Sequence, residues 1–213
     1  MTNLIVTKFG GSALGADGVA IPEIIQRIMD LKKDSKIIAV FSAPLTIHNE
    51  KKRSLTDVVL EQGRNAENGI KPSLDIVKSS YQKILEMVNS ENQENCKNTI
   101  DLHLKLSQNA LDEAYESKEF ANEVRSRALA FSGEILISHV MNYVLRSNNI
   151  KTDAIGFDDW PIITDNNIES TNFLSSESRG KIQKIAELVE ENEVVTIGGF
   201  IGKTVDNITT TFE

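Results

Sequence analysis

Cysteine is almost absent from the sequence, and Cys96 is the single one. A disulfide within the chain is therefore excluded, and chains without disulfides are typical of a reducing compartment. A hydrophobic leader is also missing, since the apolar run that begins at Leu4 stops at Val6. These absences lead us to expect a cytoplasmic protein.

Long hydrophobic runs and positive charge are scarce as well. No segment approaches the roughly 20 consecutive apolar residues that span a bilayer, so no membrane association is expected. Asp and Glu number 31 against 23 Lys and Arg, which makes the formal net charge −8. A field of that sign repels nucleic acids and anionic membranes. A local basic site for a small anion is still compatible with it.

The sequence does contain short apolar runs that alternate with helical patterns. Its 213 residues, of which 40% are hydrophobic, suit one large domain or two small ones. Strands are predicted at Leu4–Thr7, as a buried strand, at Ile37–Phe41 and at Val194–Ile197. This alternation predicts an α/β fold with a mostly parallel sheet between helical layers.

Apolar residues at helical spacing predict helices at 21–33, 55–67 and 176–191, and in the stretch 131–150, where Asn148-Asn149 ends the helix. The region 72–130 is predicted to be mostly helical, with polar breaks at 90–98. The polar segment 44–54 begins with Pro44 and predicts a solvated loop. The stretches "KTDAIGF", "WPIIT" and "NITTTFE" predict short strands, and a further edge strand is possible near Ile168. In "IGGFIGKT" a strand is expected to run into a glycine-rich turn.

The first strand leads into the stretch "KFGGSALG", which combines a lysine, two glycines and a hydroxyl group. Gly10 and Gly11 allow the backbone to approach a ligand closely, while Lys8 and Ser12 add a positive charge and a donor. The order differs from both the P-loop and the GxGxxG pattern. From these residues alone, a phosphate-binding loop and a tight turn with an exposed lysine are equally compatible.

Three predicted strands end in small or hydroxyl residues. They are followed by Gly10-Gly11, by Ser42-Ala43 and by Gly199-Phe200. Ligands of open α/β sheets collect at the carboxyl ends of the strands. We therefore expect these three strand ends to line one crevice.

Five blocks in this order resemble the aspartate kinase family of the amino-acid kinase superfamily. They are "KFGGSA", "VFSA" followed by "LTDVVLEQG", "FSGEILIS", "IITD" and "GGFIGKTVDNITTT". Each block is weak alone, but the ordered set is specific and extends from end to end of the chain. The resemblance is to the N-terminal part of the catalytic domain, and it implies a three-layer α/β/α sandwich.

The resemblance implies transfer of the γ-phosphoryl group of ATP to the side-chain carboxylate of aspartate, with Mg²⁺ bound mainly through phosphate oxygens. Lys8 would stabilise the developing charge as the catalytic residue. No protein ligand for the metal is expected. The resemblance implies phosphate binding by Lys8, Gly10, Gly11 and Ser12, and binding of the amino acid by Ser42, Thr56, Glu134, Gly199 and Phe200.

Each of these residues also has a purely structural interpretation. A carboxylate at Glu134 is favoured by the helix dipole alone, Thr56 could cap the following helix, and Phe200 could pack in the core. His48, His103 and His139 show no ligand spacing and are expected to be non-catalytic, as is Cys96.

The sequence departs from the family at two places. Thirteen residues, 43–55, separate Ser42 from Thr56, which is more than the family usually carries. The run "TTTFE" ends where the family continues with Leu-Gly-Arg-Gly-Gly-Ser-Asp. We therefore expect residues 1–213 to be an N-terminal lobe with a helical segment at about 63–130. The nucleotide-binding half and ACT-type regulatory domains are expected to be missing.

A lobe of this kind would expose a sheet edge and core surface, so we expect self-association into a homo-oligomer. Two other functions stay open. One is a different amino-acid kinase, specific for acetylglutamate, glutamate or a nucleoside monophosphate. The other is a non-catalytic fragment that binds aspartate or a phosphate anion.

Overall fold

A computed structural model describes residues 3–168 and 171–212. Within these residues the strands are β1 (Asn3–Phe9), β2 (Ser35–Phe41), β3 (Leu45–His48), β4 (Lys51–Ser54), β5 (Thr152–Ala154), β6 (Ile163–Thr164), β7 (Val194–Gly198), β8 (Ile201–Thr204) and β9 (Thr209–Thr211). The helices are α1 (Gly11–Leu14), α2 (Ile21–Leu31), α3 (Leu55–Glu67), α4 (Asp75–Leu85), α5 (Ser90–Ser117), α6 (Asn122–Ser132), α7 (Glu134–Ser147) and α8 (Ser175–Glu191).

The central sheet has four strands in the order β1-β2-β7-β5, and all of its pairs are parallel. One face carries a large apolar core, to which α2 to α7 contribute. The other face is covered by α8, with Val195 and Ile197 of β7 packed in a second core around Trp160. The predicted mostly parallel sheet between helical layers is therefore confirmed.

Two smaller sheets accompany the central one. β6, β8 and β9 form a mixed sheet, in which β8 pairs parallel to β6 and antiparallel to β9. β3 and β4 form a separate antiparallel hairpin.

The prediction that the first strand is buried was wrong. β1 pairs only with β2 among the described strands, and it forms the edge of the central sheet. On the face of the sheet that α8 covers elsewhere, Leu4 is 53% exposed and Val6 is 65% exposed. Nothing in the described part of the chain covers these side chains, so they are exposed although they are apolar.

The predicted loop at 44–54 is the β3–β4 hairpin. Its two-residue turn consists of Asn49 and Glu50, both with positive φ, at 50° and 62°. Such turns match the twist of hairpin strands and are usually built from Asn-Gly. The hairpin was not predicted, because its turn lacks the usual glycine and because Lys51–Ser54 is polar.

Three smaller predictions also needed correction. The break expected at 90–98 is absent, because α5 begins at Ser90 with the Asn89 side chain as its N-cap and continues to Ser117. The glycine-rich turn after β7 is short, because Ile201–Thr204 forms β8. Ile168 lies in a turn rather than a strand, and residues 169–170 lie outside the described ones.

Residues 122–147 are long and apolar enough to cross a membrane. Their most apolar window is 83% buried inside the protein, and Gly133 separates α6 from α7 within it. Burial of this extent identifies the segment as a pair of core helices.

Candidate functional site

The carboxyl ends of β1, β2 and β7 lie side by side, as predicted. Phe9 is in register with Phe41, and Phe41 with Gly198. The pairing continues for one residue, since the amide of Ser42 donates to Phe9 at 3.1 Å and that of Gly199 donates to Phe41 at 2.9 Å. The three strand ends therefore present Gly10, Ser42 and Gly199 at one edge of the sheet.

The loop after β1 turns at once into the short helix α1. Gly10 has extended backbone angles, and its carbonyl oxygen accepts from Ala13 at 2.9 Å. Gly11 passes so close to the next strand end that only a hydrogen side chain fits beside the Ala43 carbonyl group. The amides of Gly11 and Ser12 precede the first of these bonds and have no acceptor within the helix. These two amides are the ones available to a bound anion.

Lys8 and Ser12 flank this loop and are both exposed. Lys8 lies on the same face of β1 as Val6, opposite to the buried Phe9. No direct ion pair joins Lys8 to Glu134, both of which the structure describes. Their interaction acts at longer range, and the positive charge of Lys8 has a small lowering effect on the pKa of Glu134.

Glu134 is the first residue of α7 and a buried carboxylate, 7% exposed. Its Oε1 atom accepts from the backbone amide of Ala43 at 3.2 Å. Burial raises the pKa of Glu134 from its usual 4.5 to about 7, against the smaller lowering effect of this hydrogen bond. The side chain therefore holds a proton that it can release near neutral pH.

The start of α7 is pressed against the end of β7. A β-carbon at Gly198 would lie 2.5 Å from the Glu134 carbonyl oxygen. This contact brings Glu134 to the edge where the three strands end. The sequence placed Ala43 and Gly198 at the strand ends but did not predict what they contribute, which is a backbone amide at Ala43 and the absence of a side chain at Gly198.

The β3–β4 hairpin accounts for the long connection between Ser42 and Thr56. Its base is closed by a 3.1 Å bond from the amide of Leu55 to the carbonyl oxygen of Pro44. The chain therefore returns beside Pro44 after the hairpin, which brings the start of α3 back to the end of β2. The interpretation of Thr56 as a helix cap was wrong, because Ser54 caps α3 and accepts from the Thr56 amide at 3.0 Å.

Phe200 lies between β7 and β8 in a left-handed conformation, with φ 65°. It is 41% exposed, so the alternative interpretation, that it packs in the core, was wrong. Its carbonyl oxygen accepts from the amide of Phe212 at 2.9 Å, which links the end of β7 to the residue after β9. Part of the Phe200 side chain is therefore accessible to solvent.

Metal-binding side chains are not clustered near these residues. Across residues 3–168 and 171–212, no group of three His, Cys, Asp or Glu side chains could hold a metal ion. A cavity of about 620 Å³ lies elsewhere, between the N-terminal end of α4 and α5, with Lys78, Asp101 and Lys105 in its wall. It shares no residue with the strand ends.

Comparison with known proteins agrees with this architecture. The sequence model of the amino acid kinase family matches residues 3–212. Comparison with curated proteins finds no match.

Solved structures of aspartokinases superpose on nearly all of the chain. Escherichia coli aspartokinase III in complex with aspartate and ADP, in the R-state, matches 98% of it with a TM-score of 0.74 and 15% identity. The same enzyme with lysine and aspartate, in the T-state, matches with a TM-score of 0.73 and 16% identity. Clostridium acetobutylicum aspartate kinase matches with a TM-score of 0.65 and 23% identity. The last two matches each cover 100% of this chain.

These identities establish a shared fold and no more. The chain covers 43%, 44% and 42% of the three solved chains. It therefore spans less than half the length of each protein that it resembles.

Proposed function

The chain belongs to the amino acid kinase family, and on that premise we propose that it serves in ATP-dependent phosphorylation of L-aspartate. A side-chain carboxylate oxygen of aspartate attacks the γ-phosphorus of ATP. The bond from that phosphorus to the β–γ bridging oxygen breaks, and the products are 4-phospho-aspartate and ADP. The main support is the buried Glu134 carboxylate at the strand ends, beside the glycine loop.

The loop after β1 is proposed to bind the transferring phosphate. The close approach of Gly11 to Ala43 leaves a backbone turn without bulk, and the exposed Ser12 adds a hydroxyl donor. Lys8 supplies the positive charge that stabilises the transition state, in which negative charge is spread over the phosphoryl oxygens. Gly10, with open space at its Cβ position, leaves room for the ligand.

The amino acid is proposed to bind across the other two strand ends. The ionised Glu134 accepts the ammonium group, which is why its pKa near 7 matters. Ser42 and Thr56 offer hydroxyl groups on one side, while Gly199 and the exposed Phe200 close the other. The product, 4-phospho-aspartate, would serve as an activated intermediate for amino-acid biosynthesis.

ATP is the proposed phosphoryl donor, and Mg²⁺ enters with it. The described residues include no carboxylate cluster for the ion, so phosphate oxygens and water would supply its ligands. We also propose that the protein is cytoplasmic. We propose that it forms homo-oligomers, because the exposed apolar side chains of β1 favour self-association.

The proposal is tested by measuring ADP release with Mg·ATP and L-aspartate, for this chain and for a form extended by its downstream coding sequence. Aspartate-dependent ADP release in either form supports the assignment. Lys8→Ala should abolish most of this turnover without altering the circular dichroism spectrum. Lys97→Ala is the matched control, because it removes the same charge from an exposed position on α5.

The acceptor is tested in the same assay with L-glutamate and N-acetyl-L-glutamate. Turnover with one of these and none with aspartate would assign a different member of the family. No acceptor-dependent ADP release in either form would exclude the kinase proposal for this chain.

A further inference from the structure

Tyr81 of α4 is fully buried and far from the candidate residues in sequence. Its hydroxyl group donates to the carbonyl oxygen of Ser132 at 3.1 Å and to that of Gly133 at 3.2 Å. The hydroxyl proton is therefore shared between the last carbonyl groups before α7. Burial and the nearby charge of Glu134 both raise the pKa of Tyr81, so it remains a donor at physiological pH.

The two acceptors form the joint between α6 and α7. Gly133 has φ −116° and ψ −103°, outside helical geometry, and it ends one helix and starts the next. The last carbonyl groups of a helix lack partners within it, and a buried carbonyl group without a donor is costly. Tyr81 supplies a donor to the Ser132 carbonyl group and a second donor to that of Gly133, which also accepts from the amide of Ile137 at 2.8 Å.

The joint is packed against Ala43, the residue whose amide binds Glu134. A β-carbon at Gly133 would lie 2.8 Å from the Leu129 carbonyl oxygen and 3.3 Å from the Ala43 β-carbon, so the backbone there is tightly enclosed. Glu134 is the next residue, and its carboxylate accepts from Ala43. A small rotation at the joint would move the carboxylate out of reach of that amide.

α4 itself is anchored to the glycine-loop side of the site. Lys83 Nζ lies 2.6 Å from Asp17 Oδ2, and the Asp17 amide donates to Leu45 at 2.7 Å. A β-carbon at Gly18 would lie 2.7 Å from side-chain atoms of Ile84. Tyr81 is thus held in place by contacts two and three residues further along its own helix.

We infer that Tyr81 is a positioning residue, whose hydroxyl group secures the α6–α7 joint and thereby holds the Glu134 carboxylate at the strand ends. In the proposed reaction, on which this consequence rests, Tyr81 would set the affinity for the amino acid without touching it.

The test is Tyr81→Phe, read out by hydrogen exchange at the Ala43 amide and by the NMR titration of the Glu134 carboxyl carbon. Exchange at Ala43 should accelerate about tenfold, the factor that corresponds to loss of one hydrogen bond. The pKa of Glu134 should fall by about one unit as the carboxylate becomes better solvated. Tyr143→Phe is the control, because it also removes a hydroxyl group with a partner, Thr99 at 3.2 Å, but on a distant turn of α7.

Unchanged Ala43 exchange and Glu134 titration in Tyr81→Phe would overturn the inference, even if the melting temperature fell. A second variant carries 4-aminophenylalanine at position 81, which retains a donor on the ring. It should restore both readouts, or the fold if Tyr81→Phe does not fold, and failure to do so would likewise overturn it.

Calorimetry with L-aspartate separates this inference from the proposed function. In an aspartate-binding protein, Tyr81→Phe should weaken binding more than Tyr143→Phe does. If the wild-type protein does not bind aspartate but its Ala43 and Glu134 respond to Tyr81→Phe, the positioning role stands and the proposed substrate is wrong.

Discussion

Gly11 approaches the carbonyl oxygen of Ala43 so closely that a β-carbon at position 11 would lie 2.3 Å from it. Gly10, its neighbour, has nothing within 4 Å of the same ideal position. The two glycines of the loop therefore have different roles. Gly11 allows two strand ends to meet, whereas Gly10 leaves open space above them.

Alanine substitutions should separate these roles. Gly11→Ala should destabilise the protein by about 2 kcal/mol or more, because a backbone carbonyl group must move. Gly10→Ala, at φ −71°, should change the free energy of unfolding by less than about 1 kcal/mol, yet weaken ATP binding. Urea denaturation and nucleotide titration measure the two effects. Equal stability of both variants would contradict the assignment of Gly11.

Glu134 should make stability fall as pH rises. Its pKa in the folded protein is about 7, above the usual 4.5. The folded state therefore binds the proton more tightly, and the resulting stabilisation is complete below pH 4.5 and lost as pH rises through 7. As the pH rises from 5 to 8, the free energy of unfolding of Glu134→Gln should increase relative to that of the wild type, by up to about 3 kcal/mol. Urea denaturation across this range measures the gain.

The control for that series is Glu116→Gln, at an exposed position on α5. It measures the effect of losing an exposed carboxylate over the same pH range. A stability difference between Glu134→Gln and the wild type that stays constant with pH would show that the Glu134 carboxylate is solvated in the folded protein.

His139 should have the opposite effect. Burial, assisted by the nearby His103 at 5.1 Å between ring centroids, lowers the pKa of His139 from 6.5 to about 4. Stability from this group is present above pH 6.5 and is lost as pH falls toward 4. When the pH falls from 7.5 to 5, the free energy of unfolding should therefore decrease by about 2 kcal/mol less in His139→Gln than in the wild type. Melting temperatures at both pH values test this, with His48→Gln as the control.

The exposed face of β1 should mediate self-association. The strand has one charged residue, Lys8, and exposes Leu4 and Val6. Val6→Lys should shift the sedimentation coefficient toward that of a monomer. Val19→Lys, at a position that is 70% exposed outside the sheet, should not. A wild-type protein that is monomeric at all concentrations would refute this prediction.

The hairpin turn offers a stabilising substitution. Glu50 has φ 62°, a left-handed conformation that costs an ordinary side chain about 1 kcal/mol. Glu50→Gly should raise the free energy of unfolding by up to that amount, since glycine is preferred at this position of the turn. Asn49→Gly should raise the free energy of unfolding by less, because asparagine tolerates positive φ better than glutamate does. A loss of stability in Glu50→Gly would contradict the turn assignment.

Some elements could be predicted closely from the sequence, because local signals determine them. α3 runs from Leu55 to Glu67 as its periodic apolar pattern predicted, although its cap is Ser54 and not Thr56. The meeting of three strand ends followed from the rule for parallel sheets. These predictions needed no knowledge of distant residues.

Other features depend on contacts that no local pattern reveals. The exposure of Val6 reflects what covers a sheet face, and the hairpin lacks the usual Asn-Gly pair. The bond from Ala43 to Glu134 joins residues 91 positions apart. Burial, which raises the pKa of Glu134, arises from the same tertiary packing.

Glu134 and His139 belong to the same helix, α7, and both are uncharged over a wide range. Between about pH 4, the pKa of His139, and about pH 7, that of Glu134, α7 carries no net charge from either residue. Crossing pH 7 changes this at the first turn alone. The N-terminal end of the helix, which lies at the strand ends, therefore acquires a negative charge. A cationic group that binds there would favour the ionised carboxylate, so Glu134 would lose its proton at a lower pH than in the empty protein.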